Sequence, residues 1–478
     1  MTVTHRNFIN GQFVENAGGD LIPVLNPATE QVISQIPDTS AALVGEAVAA
    51  AKSSQKAWER RPAIERAGFL RKLSAKIREN APALASAIVA EQGKIQGLAE
   101  VEVAFTADYL DYMAEWARRI EGEIITSDRP GENIFLFRQA IGVVGGILPW
   151  NFPFFLIARK LAPALVTGNT IVIKPSEETP NNAAMFAELL AQTDMPAGVV
   201  NMVFGKGATT GSALCDNEDV GMLSFTGSVE TGSRIMAAAA KNITKVNLEL
   251  GGKAPAIVLA DANIDLAVNA IKASRVINSG QVCNCAERVY VDRRVEDEFV
   301  AKLAAAMETT RYGDPSEERD VDMGPLINRA GLEKVEGLVE RAIGAGAECI
   351  TGGAVADLGR GAYFQPTVLR GCKQDAEIMQ KEIFGPVIPV NSFDTLDQAI
   401  ERANDSAYGL TSSIYTRDIG SAMRACNEIK FGETYINREN FEAMQGFHAG
   451  VRKSGIGGAD GKHGLYEYTQ THVVYLQN

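Results

Sequence analysis

The chain has 478 residues, of which 46% are hydrophobic and 22% are charged, proportions typical of globular proteins rather than of disordered or fibrous ones. Asp and Glu outnumber Lys and Arg by 59 to 46, and a net charge of −13 excludes nucleic acid as the main partner, since it requires a basic face. Six Cys in so long a chain do not form a disulfide framework, and no apolar run approaches the roughly 20 residues of a membrane span, so we expect a cytoplasmic protein that does not bind membranes.

The part of the chain before about residue 120 combines a short β-prone start with helical segments. In one of these segments Val101, Phe105, Tyr109, Tyr112 and Trp116 recur at steps of three or four residues, the spacing of one face of an α-helix. We expect this aromatic stripe to pack in the core of the protein rather than to contact a ligand.

Short apolar runs alternate with helix-period segments from residue 141 to residue 250. The runs predicted to be strands are Ile141–Leu148, Thr170–Ile173, Val199–Phe204, Met222–Phe225 and Val246–Leu250. The helical segments between them are Phe154–Val166, Asn182–Gln192, Gly207–Cys215 and Thr231–Ala240. This alternation is typical of βαβ units and predicts a parallel sheet with helices on both faces.

A second series of strand-like runs lies between residues 255 and 441. Its predicted strands are Ala256–Leu259, Arg288–Val291, Val387–Val390, Thr411–Tyr415 and Thr434–Ile436. The β-prone tail, Thr471–Gln477, has two interpretations. It is either a terminal strand of its own domain or an edge strand added to a partner's sheet, which would imply an oligomer.

Three polar side chains lie at positions suited to catalysis. Cys283 follows a Gly in a loop-like segment, and a thiol there is either a nucleophile or an inert buried group. Glu249 ends an apolar strand, where burial would raise its pKa and make it a general base, unless it is an edge residue facing water. Asn151 lies where a strand meets a helix, and its amide would either donate to an oxyanion or only cap the helix.

The cofactor and metal motifs are weak when each is taken alone. The Gly205–Gly211 stretch follows a strand, but its spacing is one residue too long for the G-x-G-x-x-G fingerprint of dinucleotide-binding folds. The Phe225–Gly232 stretch also joins a strand to a helix, whose free N–H groups would hold a pyrophosphate. With four His residues, and neither a Cys-x-x-Cys nor a His-x-x-x-His pair, we expect no metal site.

Six short motifs, in order along nearly the whole chain, resemble the aldehyde dehydrogenase superfamily. They are Pro149-Trp-Asn-Phe-Pro153, Lys174-Pro-Ser-Glu177, Phe225-Thr-Gly-Ser228, Glu249-Leu-Gly-Gly-Lys253, Gly280-Gln-Val-Cys283 and Glu382-Ile-Phe-Gly-Pro386. Within that superfamily the chain resembles most the members that oxidise lactaldehyde and glycolaldehyde, through residues 282–287 and 437–446.

The resemblance implies that the Cys283 thiolate attacks an aldehyde to give a thiohemiacetal, whose oxyanion is held by the Asn151 amide and the backbone N–H of Cys283. Hydride then passes to NAD and leaves a thioester, which water activated by Glu249 hydrolyses. A carboxylate at residue 249 implies release of a free acid rather than transfer of the acyl group to CoA. A thiol esterase or acyltransferase, which needs Cys283 and Glu249 but no redox cofactor, is the alternative from another class.

NAD is the cofactor that the resemblance implies. Lys174 and Glu177 would hold the adenosine ribose, and a carboxylate at Glu177 would repel the 2′-phosphate of NADP. Ser228 and the helix after it would hold the pyrophosphate, and Glu382 the nicotinamide ribose. The other residues implied for the cofactor site are Leu148, Trp150, Pro175, Ser176, Gly227, Leu250 and Phe384. The Gly205–Gly211 loop is not the phosphate site in this superfamily.

Arg159, Asn284, Glu442 and His448 are the residues implied to contact the substrate. All but Asn284 replace apolar or aromatic residues of many relatives, and Arg159 lies about two helical turns after Asn151, on roughly the same face. A polar tunnel favours a small hydroxyaldehyde over a fatty aldehyde. Arg159 has a second interpretation as an ion pair, and succinate semialdehyde or another semialdehyde is the alternative substrate, because an Arg here can bind a substrate carboxylate.

The implied fold class is α/β, with a Rossmann-type NAD-binding domain, an α/β catalytic domain and a small β oligomerisation element. The expected boundaries are 1–120 with 140–252 for the first, 253–460 for the second, and 121–139 with 461–478 for the third. Homotetramers are usual in the superfamily, so we expect a homotetramer whose other partner is a small-molecule aldehyde.

Overall fold

The computed structural model describes residues 2–16 and 19–478, and its architecture is α/β. The strands before residue 40 are β1 (Val3–Thr4), β2 (Asn7–Ile9), β3 (Gln12–Val14), β4 (Leu21–Leu25) and β5 (Val32–Pro37). The helices that follow are α1 (Ala41–Glu59), α2 (Ala63–Glu79), α3 (Ala81–Gln92) and α4 (Gln96–Glu115). The predicted short β start followed by helices is confirmed.

Local sequence signals set the ends of these helices. The Ser40 side chain accepts a hydrogen bond from the Leu43 N–H and so caps the start of α1. Helix α3 ends at Gly93, whose φ of 73° is left-handed and favours a residue without Cβ. The chain turns there, and this turn brings Lys94 into the interior.

A first large sheet occupies the middle of the chain. The elements of this part of the chain, of which β6 and β7 belong to a separate small sheet, are β6 (Glu123–Thr126), β7 (Glu132–Ala140), β8 (Val143–Ile147), α5 (Phe155–Val166), β9 (Thr170–Lys174), α6 (Asn181–Ala191), β10 (Val200–Met202), α7 (Ser212–Asp216), β11 (Val220–Thr226), α8 (Val229–Ala239) and β12 (Lys245–Glu249). The five predicted strands are β8 to β12, and they pair parallel in the order β12-β11-β8-β9-β10. Residues 207–211 form a π-helical turn before α7, where one continuous helix was predicted.

A second large sheet is built from the following half of the chain. Its elements are β13 (Ala254–Val258), α9 (Ile264–Val276), β14 (Ala286–Asp292), α10 (Glu296–Glu308), α11 (Arg329–Gly344), β15 (Glu348–Thr351), β16 (Thr367–Arg370), α12 (Glu377–Gln380), β17 (Val387–Phe393), α13 (Leu396–Asn404), β18 (Thr411–Tyr415), α14 (Ile419–Glu428) and β19 (Glu433–Ile436). The strand order is β15-β16-β17-β14-β13-β18-β19, with only β15 antiparallel to its neighbour. The five predicted strands are confirmed, and β15 and β16 were not predicted.

The C-terminal segment leaves the second sheet and returns to the first part of the chain. It forms β20 (Gly455–Ile456), α15 (Gly461–Glu467) and β21 (Thr469–Gln477). Strand β20 pairs with β12, whereas β21 pairs antiparallel with the whole of β7 in a small sheet of order β21-β7-β6. The tail is thus a strand of its own chain, as the first of the two interpretations had it, although it joins neither large sheet. Because β21 is the outer strand of the small sheet, its addition to a partner's sheet stays a prediction.

Two of the polar residues singled out above lie at or just after the carboxyl ends of parallel strands, and the third lies in a turn that precedes a strand. Glu249 is the last residue of β12, beside Thr226 at the end of β11. Asn151 lies between β8 and α5, and Cys283 lies in the turn between α9 and β14. Within residues 2–16 and 19–478, no helix is long and apolar enough to cross a membrane, and no group of three or more His, Cys, Asp or Glu is arranged to hold a metal.

Candidate active site

A narrow cavity lies where α4, α5, the ends of β11 and β12 and two loops meet. Its volume of about 60 Å³ has room for a few water molecules or one small organic molecule. The polar residues that line it are Glu102, Asn151, Arg159, Thr226, Glu249, Cys283, Asn284, Asn440, Glu442 and His448. The structure therefore brings together the three residues predicted to be catalytic and the four predicted to contact substrate.

The aromatic stripe of α4 divides between the core and this cavity. Tyr109 is fully buried, as predicted. Val101 and Phe105 instead line the cavity, and 53% of Val101 is exposed. Phe105 also packs against the core, so the expectation that the whole stripe packs there was wrong only for Val101.

Cys283 is a free, half-buried thiol in a turn, and Asn151 is held close to that turn. Asn151 Nδ2 donates to the carbonyl oxygen of Gln281 at 3.0 Å, two residues before the thiol. Asn278 and Ser279 have φ values of 49° and 58°, a left-handed conformation that turns the segment inward at the end of α9. Cys285 is buried and free, and no disulfide joins it to Cys283.

Glu249 is buried between cationic and hydroxyl groups. Its Oε2 lies 3.2 Å from Lys160 Nζ and accepts a hydrogen bond of 2.7 Å from Thr226 Oγ1. Burial raises the pKa of Glu249, but Lys160, Arg159 and His448 outweigh that effect and bring the pKa to about 2. The expectation of a raised pKa was wrong, because it counted burial and not the cations that other elements place beside the carboxylate.

Arg159 belongs to a buried ion-pair network and also lines the cavity. Its guanidinium binds both carboxylate oxygens of Asp460 and lies 3.4 Å from Glu442 Oε1. The other oxygen of Glu442 accepts a hydrogen bond from Asn284 Nδ2. Arg159 therefore forms an ion pair, which is buried rather than at the surface, and the same side chain lines the cavity, while its contact with substrate stays a prediction.

His448 is buried between a carboxylate and the thiol. Its Nδ1 lies 2.6 Å from Glu433 Oε1, and its side chain lines the same cavity as Cys283. Burial and Arg159 lower the pKa of His448, but Glu433, Glu442 and the contact with Cys283 raise it well above its ordinary value. The imidazole is thus a cation in this setting.

A second cavity, of about 250 Å³, lies between the turn at 207–211 and α8. Its lining includes Gly207, Gly211, Thr231 and Ile235, so the loop expected to be unrelated to phosphate binding still borders a pocket. Lys174 Nζ and Glu177 Oε2 are 2.6 Å apart at the end of β9, and Glu177 Oε1 accepts a hydrogen bond of 3.1 Å from the Gly207 N–H. Glu177 is thus linked to the cavity through Gly207, which lines it.

The start of α8 is exposed next to this cavity. Ser228 caps the helix by accepting a hydrogen bond of 3.2 Å from the Thr231 N–H, and Gly227 lies just before it. A Cβ on Gly232 would lie 2.5 Å from the Leu250 side chain, so only Gly allows α8 to approach Leu250 this closely. The open helix terminus suits the phosphates of a dinucleotide.

The remaining predicted cofactor residues lie after β8, after β9 and between α12 and β17. Leu148 follows β8 and donates its N–H to the carbonyl of Lys174 at 3.0 Å, while Pro175 and Ser176 are buried beyond β9. Trp150 contacts Phe384 edge to face, with ring centres 5.5 Å apart. Glu382 accepts a hydrogen bond of 2.8 Å from the Gly252 N–H, and burial and Glu287 raise its pKa to about 7. Aromatic and carboxylate side chains of this kind suit a nicotinamide dinucleotide.

Several residues of the site were not predicted from the sequence. Lys160, Thr226, Glu433, Asn440 and Asp460 all contact predicted residues or line the cavity. Lys160 adjoins Arg159 and Thr226 lies in a recognised motif, so neighbouring residues were the available signal for these two. For Asp460 the sequence carries no such signal, because it meets Arg159 across 301 residues of chain.

Comparisons with known proteins agree with this geometry. The family model described as "Aldehyde dehydrogenase family" matches residues 13–474. The lactaldehyde dehydrogenase of Escherichia coli (strain K12) is 63% identical over 476 residues, which are 100% of this chain and 99% of that protein. The crystal structure of lactaldehyde dehydrogenase from Escherichia coli superposes with a TM-score of 0.99 over 100% of both chains, at 63% identity. A betaine aldehyde dehydrogenase from Staphylococcus aureus in complex with NAD+ has a TM-score of 0.97 at 34% identity, over 99% of this chain and 95% of that one.

Proposed function

Because the chain belongs to the aldehyde dehydrogenase family, we propose that it oxidises a small hydroxyaldehyde, lactaldehyde or glycolaldehyde, to its carboxylic acid with NAD. The identity of 63% to a lactaldehyde dehydrogenase supports this substrate class. The observation that carries the proposal is a single narrow cavity onto which Cys283, Asn151 and Glu249 open together with a charged lining.

In the proposed first step, Cys283 Sγ forms a bond to the aldehyde carbon, and the carbonyl oxygen gains the electron pair and becomes an oxyanion. One hydrogen of Asn151 Nδ2 is donated to Gln281, and the second is available to the oxyanion together with the backbone N–H of Cys283. His448 and the Cys283 thiol line the same cavity, so the imidazole lies near the reacting sulfur.

Bound NAD supplies the hydride acceptor that turns the tetrahedral adduct into a thioester on Cys283. The open start of α8 at Ser228 would hold the pyrophosphate, and Glu382 the nicotinamide ribose. Lys174 and Glu177 would hold the adenosine ribose, and the Glu177 carboxylate would repel a 2′-phosphate. Leu148, Trp150, Pro175, Ser176, Gly227, Leu250 and Phe384 would complete the cofactor site.

In the proposed last step, Glu249 takes a proton from water, the water oxygen bonds to the thioester carbon, and the Cys283 thiolate leaves as the acid is released. Glu249 Oε1 is buried and has no hydrogen-bond partner in the described part of the chain, so it is the oxygen available to water. A carboxylate with a pKa of about 2 binds a proton weakly, so we expect the contacts of Oε2 with Lys160 and Thr226 to loosen when water is activated.

The charge balance around Arg159 favours a hydroxyaldehyde over a semialdehyde. Asp460 and Glu442 already surround the guanidinium, so no excess positive charge remains to bind the carboxylate of succinate semialdehyde. Glu442, Asn284 and His448 instead offer hydrogen-bonding groups to a substrate hydroxyl. A substrate without that hydroxyl would leave buried polar groups unpaired, which costs binding energy.

The test compares NADH formation from lactaldehyde, glycolaldehyde, succinate semialdehyde and hexanal, each with NAD and with NADP. We expect the two hydroxyaldehydes with NAD to give the highest kcat/KM. Cys283→Ala should lose at least about a thousandfold in kcat, since it removes the nucleophile. The matched control is Cys426→Ala, which changes another free, half-buried thiol outside the cavity and should keep wild-type kcat.

Each unexpected outcome contradicts a different part of the proposal. Preference for succinate semialdehyde would overturn the substrate class and leave the mechanism standing. Ester hydrolysis without NADH formation from any aldehyde, with either cofactor, would favour a thiol esterase instead. Full activity of Cys283→Ala would overturn the role of the thiol.

The proposal extends to assembly and location. A homotetramer would form through an oligomerisation element of residues 121–139 and 461–478, since the exposed apolar side chains of β6 and β21 suit burial against another subunit. The NAD-binding domain would consist of residues 1–120 and 140–252, and the catalytic domain of residues 253–460. The cytoplasm is the proposed location, in keeping with free cysteines throughout the described chain.

A further inference from the structure

A buried ion pair lies directly behind Asn151. Lys94, between α3 and α4, and Glu102, on α4, have completely enclosed side chains, with Nζ 2.5 Å from Oε2. Lys94 Nζ also lies 3.7 Å from the centre of the Phe152 ring, next to Asn151. The mechanism proposed above makes no use of either charge.

Both side chains extend their contacts to the segment that carries Asn151. Lys94 Nζ donates to the carbonyl oxygen of Asn151 at 2.8 Å. Glu102 Oε1 accepts hydrogen bonds from the N–H groups of Phe154 and Phe155, at 2.9 and 3.1 Å, where α5 begins. The backbone is therefore fixed at Asn151 itself and again three and four residues later. Hydrogen bonds to charged groups are shorter and stronger than neutral ones, so Lys94 and Glu102 restrict the movement of this backbone segment.

Stability of the fold does not account for these charges. Removing two ions from water costs about as much as their attraction returns, and well-packed apolar residues in such places are often neutral or stabilising. Burial lowers the pKa of Lys94 although Glu102 opposes the shift, which shows that the attraction of Glu102 does not fully offset the cost of removing the ammonium from water. Apolar residues in these two places could not form the hydrogen bonds to the carbonyl oxygen of Asn151 and to the N–H groups of Phe154 and Phe155.

We propose that Lys94 and Glu102 are positioning residues, which hold the Asn151 amide at the place where the oxyanion forms. The inference rests on the proposed function through the role of Asn151 alone. A displacement of about 1 Å in a group that stabilises a transition state costs up to about a hundredfold in rate. The pair acts on the reaction through Asn151 and not on the cofactor.

The experiment measures the hydrolysis of 4-nitrophenyl acetate, which acylates a thiol through an oxyanion and needs no NAD, alongside kcat for lactaldehyde. The variant Lys94→Met/Glu102→Gln removes both charges together and leaves no unpaired ion. It is compared with Asn151→Ala and with the triple variant. We expect the double variant to lose between about tenfold and a hundredfold in both rates. Asn151→Ala should lose about a hundredfold or more, and the triple variant should stay within about twofold of it.

Glu91→Gln is the matched control. Glu91 is also a fully buried carboxylate that accepts two backbone N–H groups at the start of a helix, those of Asn181 and Asn182 at α6. It does not contact Asn151, so both rates should stay within about twofold of wild type. KM for NAD should be unchanged in all variants, because neither Lys94 nor Glu102 contacts a proposed cofactor residue directly. Thermal unfolding establishes that each variant is folded.

Two results would overturn the inference: wild-type rates in the double variant, or the same fold-loss from the double change with and without Asn151. If the double variant does not fold, Glu102→Gln, which keeps an acceptor oxygen for α5, is tested in the same two backgrounds. Wild-type rates in Asn151→Ala would instead refute the proposed oxyanion role and the inference with it. Loss in Asn151→Ala without loss in the double variant refutes the inference alone.

Discussion

At the scale of single residues, the two oxygens of Glu249 have different surroundings. Oε2 contacts Lys160 and Thr226, whereas Oε1 is buried and unpaired within the described residues. Because nearby cations hold the pKa at about 2, the carboxylate is ionised throughout the neutral and mildly acidic range. Protonation of Glu249 therefore does not limit the wild-type enzyme there.

We predict that Lys160→Met raises the pKa of Glu249, since burial is then opposed by one cation fewer. Water activation needs the ionised carboxylate, so turnover of 4-nitrophenyl acetate should fall as the pH is lowered through the raised pKa. The pH–rate profile of the variant should show an acidic decline that begins at higher pH than in the wild type. The surface variant Lys72→Met should keep the wild-type profile, and a Lys160→Met profile identical to wild type would contradict the prediction.

At the scale of elements, α8 offers its exposed first turn to the proposed cofactor. Ser228 satisfies one of its free N–H groups, and the second cavity opens beside it. An anion at this terminus would interact with the remaining N–H groups and with the positive end of the helix dipole. The geometry of one short turn is thereby coupled to cofactor affinity.

We predict that Ser228→Ala destabilises α8 by about 1 kcal/mol and raises KM for NAD several-fold with little change in kcat. Steady-state kinetics with varied NAD measures the second effect, and thermal unfolding the first. Asp418→Ala is the control, because Asp418 caps α14 in the same way, through the N–H groups of Gly420 and Ser421. Equal changes of KM in both variants would show that a general loss of stability is responsible.

The same scale shows how far the sequence predicted the fold. Strands β8 to β12 are the parallel interior of an eight-stranded sheet that antiparallel strands flank, β20 on one side and β2 and β3 on the other, and their apolar runs were recognisable. Strand β15 was missed because it is an exposed edge strand that contains Glu348, and β16 because Thr367–Arg370 is too short to show a period. Their place in the sheet depends on pairing with other strands and not on their own pattern.

Some features of the candidate active site were also predictable from the sequence, and others were not. Cys283, Asn151 and Glu249 lie in motifs that the sequence displays, and the structure places all three on one cavity. Asp460 and the low pKa of Glu249 were not predictable, because both arise from charges that separate elements bring together. Short sequence motifs indicate which residue types form a site. They do not indicate the balance of charges in the site, because that balance depends on segments that are far apart in the sequence.

At the scale of the whole molecule, the small sheet of β6, β7 and β21 presents apolar side chains outward. Ile124, Phe137 and Leu476 share one face by the strand register and are 76%, 48% and 50% exposed. Such a face is unfavourable in water unless another surface covers it. It therefore supports the proposed assembly.

We predict that Ile124→Asp combined with Leu476→Asp reduces the mass of the assembly, because charges would replace apolar contacts between subunits. Sedimentation measures that mass for the wild type and the variant. Ile243→Asp alters a side chain that is 92% exposed and outside this sheet, and should leave the mass unchanged. A wild-type assembly in the double variant would place the subunit interface elsewhere.

The contact of Arg159 with Asp460 also bears on efforts to redirect the enzyme to new aldehydes. Arg159, Glu442 and Asp460 are one electrostatic unit, and replacing the arginine alone leaves two carboxylates without their cation, one of them fully buried. Substitutions within such a unit are not additive. A mutant library that randomises codon 159 alone would consist mostly of destabilised proteins, so new specificities should be sought where codons 159, 442 and 460 vary together.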